Sequence, residues 1–126
     1  MKILVIGLDG ATLDLLGPWI EAGELPNLQK LMRQGAWGRL RTTMPPISAS
    51  SWNSFVTGVN PGKHGVVDFV YPNAENYKVA LIDSRTRQTQ ALWTWLNEAG
   101  YRVGLLGIPT CYPTEPVDGF MISGFL

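Results

Sequence analysis

The run Lys2-Ile3-Leu4-Val5-Ile6-Gly7-Leu8 constrains this chain more than any other stretch. It is short, continuously apolar from Ile3 and rich in β-branched residues, and it stops at Asp9-Gly10. That pattern predicts a strand buried on both faces, as in a parallel sheet covered by helices. The strand over residues 2–8 is expected at the centre of the sheet, with Asp9-Gly10 as its exit into a loop. Such a strand requires neighbours and crossover helices, and the remaining segments supply candidates for both.

Thr12 is placed to cap a helix through LDLLGPWIEAG, which Gly17-Pro18 is expected to bend or divide. LPNLQKLMRQG predicts a second helix with Leu28, Leu31 and Met32 on one face and Gly35 as its C-cap. AWGRLRTT predicts a second strand, interrupted by Gly38. Pro45-Pro46 cannot continue a sheet, so a new helix is expected from Ile47 or Ser48 through SASSWNSFVTG, ended by Gly58, with Trp52, Phe55 and Val56 inward. Residues 59–69 follow as a Pro/Gly loop leading into a short apolar run, and 71–77 as a polar loop. YKVALID alternates weakly, as a strand. TQALWTWLNEAG predicts a helix capped by Thr89 and stopped by Gly100, with Leu92, Trp95 and Leu96 on one face. YRVGLLGIP and GFMISGFL are further strands. The alternation predicts an α/β fold with a mostly parallel sheet and helices on both faces.

The 126 residues are 45% apolar and 16% charged, the material of one small domain with a core. The formal net charge is zero, so there is no electrostatic footprint for nucleic acid. No apolar stretch approaches the roughly 20 residues that span a bilayer. The apolar run near the N-terminus is broken by Asp9 and lacks a small-residue cleavage pattern. A lone cysteine, Cys111, rules out an intrachain disulfide and is expected as a small buried apolar residue. These features predict a cytoplasmic protein without a membrane segment.

Two positions carry candidate chemistry. Asp9, at the carboxyl end of the first expected strand, lies where α/β sheets bind ligands, and its carboxylate suits a cation. Its alternative reading is a helix cap. Ser48 lies at a helix start, where backbone N–H groups and the helix dipole favour a phosphate. A hydroxyl there is a candidate nucleophile. The alternative is that Ser48 or Ser50 is an N-cap. His64 is the only histidine, and its Pro/Gly loop predicts a structural role. Trp93 and Trp95 are expected as the core and surface positions of one helix.

VIGLDG, PPISASSWNSFVTGVNPGKHGVVDF and LWTWLNEAGYRVGLLGIPTCYP together resemble the type I phosphodiesterase/nucleotide pyrophosphatase family, within the alkaline phosphatase superfamily. The resemblance covers essentially the whole chain. It implies an alkaline-phosphatase-like core and a hydrolase with two divalent metal ions, usually zinc, with manganese as the other choice. The family's metal-binding aspartate falls on Asp9. Its nucleophile, nine residues before the Thr-Gly pair at Thr57, falls on Ser48, which is also a metal ligand. A substrate-binding asparagine of the pyrophosphatase branch falls on Ser51. The implied reaction passes through a phosphoserine, with a small phosphodiester or nucleotide as substrate.

The family's other metal ligands, Asp and His residues of its second half, have no counterpart here. Residues 1–126 are therefore expected to form the N-terminal portion of one catalytic domain, incomplete and inactive alone, with an unpaired sheet edge that invites self-association. The competing reading is a non-catalytic α/β fragment that binds a partner or its missing half. A haloacid-dehalogenase nucleophile is absent, since Gly7 stands where its first Asp belongs. No sulfatase motif follows a Ser or Cys.

Overall fold

The computed structural model describes residues 2–72 and 78–126. The chain divides into two compact units, Met1–Arg41 and Thr42–Leu126.

The first unit holds two helices, α1 (Leu13–Glu21) and α2 (Pro26–Gln34). Thr12 caps α1 as expected, its Oγ1 accepting from the Asp14 N–H at 3.0 Å. The helix continues through Pro18. A proline here forfeits one bond to the carbonyl four residues back, and Gly17-Pro18 does not divide the helix. Pro26 opens α2, where its missing N–H costs nothing. Gly35 closes it, its N–H donating to the Leu31 carbonyl at 2.9 Å. Gln29 Nε2 bonds the Ile20 carbonyl at 2.9 Å and joins the two helices. Ile20 is the only buried residue among the described residues of this unit.

Two expected strands do not form here. Residues 2–8 make no ladder, and Ile3 and Leu4 are 75% and 84% exposed, so the central strand expected there is corrected. The second strand expected over 36–43 is absent too, with Trp37 and Leu40 exposed. An apolar β-branched run becomes a strand only when another strand takes its backbone N–H and C=O groups.

The second unit contains α3 (Ser48–Thr57), α4 (Pro61–His64), β1 (Val70–Pro72), β2 (Val79–Leu81), α5 (Leu92–Glu98), β3 (Val103–Ile108) and β4 (Gly119–Ser123). β1 and β2 pair antiparallel, Val70 opposite Leu81. The loop expected over 71–77 gives way to β1 at its start, and its remainder, 73–77, lies outside the described residues. β3 and β4 pair parallel, Val103 opposite Gly119 and Leu106 opposite Ile122. The register shifts between Leu106 and Ile108, where Gly107 adopts φ +67° and accommodates the irregularity. The described residues thus form an α/β arrangement with one parallel and one antiparallel pair, in place of a single mostly parallel sheet.

Two apolar clusters hold this unit. Val56 of α3, Ala91, Trp93 of α5 and Cys111 form one, covered by Val103, Leu105, Ile108, Val117 and Met121. Ala49, Val66 and Ile82 form the other, beside Ile47 and Phe69. The β3–β4 pair therefore buries one face. Its opposite face shows Leu106, Phe120 and Ile122 to solvent. Trp93 is buried and Trp95 exposed, the expected division. Thr89 does not cap α5, whose N-cap is Ala91 without a side-chain bond. Leu92 and Trp95 do not form the inward face expected of them. On α3 the inward residues are Ala49, Ser50, Asn53, Val56 and Thr57. Phe55 points out and meets Trp52 edge-on, ring centroids 6.1 Å apart.

Candidate active site

Directly after Pro45-Pro46, Ile47 is extended, at φ −117° and ψ 141°. Helix α3 then begins at Ser48 and ends at Gly58, whose φ of +68° and N–H bond to the Ser54 carbonyl at 2.9 Å form a left-handed C-cap. Ile47 is the N-cap; its carbonyl accepts the Ser51 N–H at 2.9 Å, but it has no side-chain oxygen to cap the first turn. Neither Ser48 nor Ser50 is an N-cap, so that alternative reading of the two serines fails. A helix N-terminus without a capping side chain presents first-turn N–H groups and the positive end of the dipole. Ser48 stands at that opening, partly exposed.

Ser51 lies one turn along α3 within a cluster of hydroxyls. Its Oγ is 2.9 Å from Thr43 Oγ1 and 3.2 Å from Thr42 Oγ1. Thr43 Oγ1 also donates to the Pro45 carbonyl at 2.9 Å and lies 3.3 Å from the buried Ser50 Oγ. Thr42 and Thr43 thus join Ser51, and the signal for them was their place just ahead of Met44 and the Pro-Pro stop.

Asp9 belongs to the first unit and Ser48 to the second. Asp9 occupies a turn with Gly10, in which the Ala11 N–H donates to the Leu8 carbonyl at 3.4 Å. It does not follow a strand, and the cap of α1 is Thr12, so the capping alternative for Asp9 fails as well. Among the described residues no group of three His, Cys, Asp or Glu side chains comes together to hold a metal ion. Asp9 and Ser48 supply fewer than the three protein ligands that a catalytic zinc takes. The described residues do not by themselves fit the two-metal centre that the family resemblance implies.

His64 is fully buried at the end of α4. Its Nδ1 accepts from the Val66 N–H at 3.2 Å, which places the proton of the neutral ring on Nε2. Nε2 then donates to Ser54 Oγ at 2.9 Å. The imidazole is no base for Ser54, and both ring nitrogens are engaged, as a structural role requires. Burial, followed by the positive charge of Arg87, holds His64 below its usual pKa.

The Arg87 side chain is 3% exposed and pairs with Glu115. Its guanidinium lies over the Trp93 ring at 5.1 Å, and Trp93 Nε1 donates to the second oxygen of Glu115 at 2.7 Å. Burial lowers the Arg87 pKa and raises that of Cys111, while the charge of Arg87 acts on the thiol in the opposite sense. Cys111 is buried in the first apolar cluster, as expected.

Asn53 and Thr110 escaped the sequence analysis. Asn53 Nδ2 donates to the Ala49 carbonyl and to Thr110 Oγ1, both at 2.8 Å and both buried. Thr110 lies just past the carboxyl end of β3 at φ +59°. Residues so distant in sequence carry no local pattern that pairs them.

The sequence model of the type I phosphodiesterase/nucleotide pyrophosphatase family matches residues 3–123. The chain belongs to that family, which relates it to hydrolases of the phosphodiesterase and pyrophosphatase type. No curated protein and no solved structure matches it. Among the described residues, no helix is long and apolar enough to cross a membrane.

Proposed function

We propose that this chain is the nucleophile-bearing portion of an alkaline-phosphatase-like catalytic domain that hydrolyses small phosphodiesters or phosphoanhydrides, nucleotides among them. The observation that carries the reading is the opening of α3, where Ser48 begins the helix and Ile47 leaves the first turn without a side-chain cap. A phosphoryl group seated there meets backbone donors and a hydroxyl together.

In this reading Ser48 Oγ attacks phosphorus in line. The Oγ–P bond forms as the bond to the leaving oxygen breaks, and the hydroxyl proton passes through solvent to that oxygen. Water then cleaves the phosphoserine and restores the hydroxyl. Ser51 adds a hydroxyl donor beside the phosphoryl oxygens, with Thr43 and Thr42 orienting it. Two divalent cations, zinc first and manganese second, belong to the proposal, with Asp9 and Ser48 as this chain's ligands. Bound cations supply charge neutralisation at phosphorus. No step is assigned to them, because the described residues do not complete their site. A cytoplasmic setting belongs to the same reading, in keeping with the unpaired Cys111.

Residues 1–126 are purified, titrated calorimetrically with zinc and manganese, and assayed with bis(p-nitrophenyl) phosphate and a nucleotide. The expected result is loose metal binding and no turnover. Tight stoichiometric zinc binding with Ser48-dependent turnover would show the site complete in this chain. In an enzyme containing the whole domain, Ser48→Ala takes turnover to background and leaves the unfolding midpoint unchanged. Retained turnover transfers the role to Ser50, Ser51 or Thr43.

The bare face at Leu106, Phe120 and Ile122 favours a second reading, a non-catalytic α/β fragment that binds a partner or its missing half, and that can also take a second copy of itself. Self-association is read by sedimentation over a concentration series. A monomer throughout removes the second copy from that reading.

A further inference from the structure

Thr110 is a β-branched residue in the left-handed region, at φ +59° and 2% exposed. Such a residue is a steric outlier that persists where its surroundings over-determine it. Three bonds do so here. The Thr110 N–H donates to the Phe125 carbonyl at 2.9 Å, Oγ1 donates to the Pro109 carbonyl at 2.7 Å, and the same Oγ1 accepts from Asn53 Nδ2 at 2.8 Å. Glycine fits this backbone without cost, and asparagine is better tolerated there than threonine. What threonine adds is a hydroxyl within reach of Asn53.

The second amide hydrogen of Asn53 goes to the Ala49 carbonyl in the first turn of α3. One line of bonds therefore runs from Phe125 through Thr110 and Asn53 to Ala49, and stops one residue from Ser48. The strained end of that line sits beyond the carboxyl end of a parallel strand, the edge at which α/β sheets bind ligands. A contact that served packing alone would be met as well by an apolar pair of the same shape.

The geometry points to Asn53 and Thr110 as positioning residues that fix the rotation of the first turn of α3, and with it the direction of the Ser48 hydroxyl and the neighbouring amides. Its purpose rests on the nucleophile reading of Ser48. The geometric claim does not, and its test involves no turnover.

The chain is labelled with nitrogen-15, and amide spectra and thermal unfolding are recorded for the parent, Thr110→Gly and Thr110→Ser. Thr110→Gly is expected to fold, since glycine accepts the backbone angle, while the Ala49, Ser50 and Ser51 peaks move by several line widths. Thr110→Ser retains the hydroxyl and returns those peaks to their parent positions. If Thr110→Gly does not fold, Thr110→Val, which keeps the branch and loses the hydroxyl, is scored on the same peaks. Peaks at Ala49–Ser51 that stay in place without the hydroxyl, or move as far in Thr110→Ser, reduce the contact to packing and overturn the proposal. A failed nucleophile assignment would appear only in the Ser48→Ala assay and leaves these spectra unaffected.

Discussion

Residues 2–41 and residues 42–126 are built from similar side chains and bury them to different extents. The first unit has Ile3, Leu4, Val5 and Ile6 in an unbroken row, yet all four are exposed and Ile20 alone is buried among its described residues. The second closes two clusters around Trp93 and Val66 and buries Asn53, Thr57, His64 and Thr110 with hydrogen-bond partners. Apolar content did not decide which unit acquired a core. What distinguishes the second unit is a set of helices, a parallel pair and a buried polar network that satisfy one another's backbone and side-chain groups.

The largest expected break of this contrast is Trp93→Ala. It removes the largest fully buried side chain and its bond to Glu115, and about 3–5 kcal/mol of stability is lost in denaturant unfolding. Glu115→Ala comes next. It leaves the buried Arg87 without its carboxylate, and a loss of about 3 kcal/mol is expected, the lower end for a broken buried pair because Glu115 keeps some contact with water. A third, smaller effect is set by pH. The folded pKa of His64 lies below its unfolded value near 6.5, so the unfolded chain binds the proton first as pH falls. Stability is full above that value and declines as pH drops through it toward the folded pKa. An unfolding midpoint unchanged between neutral and mildly acidic pH would contradict a buried neutral imidazole. The smallest effect belongs to the first unit: Trp37→Ala, at an exposed tryptophan, is expected to stay within about 0.5 kcal/mol of the parent. A loss comparable to that of Trp93→Ala would erase the distinction between the two units.

Helix signals carried across from sequence to structure because they are local. Thr12 caps α1, Gly35 closes α2, and Gly58 ends α3 in the conformation that favours glycine. Strands were less legible, since a strand is defined by its partner. VGLLGI found β4 and became β3, whereas KILVIGL, with the stronger pattern, found none among the described residues. The site divided in the same way. The helix start at Ser48 was legible from the Pro-Pro stop before it and the helix pattern after it. Its distinction from a cap required the observed backbone at Ile47. The Asn53–Thr110 contact was invisible, because it depends on a tertiary approach and on a backbone angle that threonine rarely takes.

The open face of the β3–β4 pair also bears on calorimetry. Unfolding raises the heat capacity in proportion to the apolar surface newly hydrated. Leu106, Phe120 and Ile122 are already hydrated in the folded chain and add little to that increment. The isolated chain is therefore expected to show less than the usual ~12–15 cal/mol/K per residue, a flatter stability curve, and a shallow denaturant dependence to match.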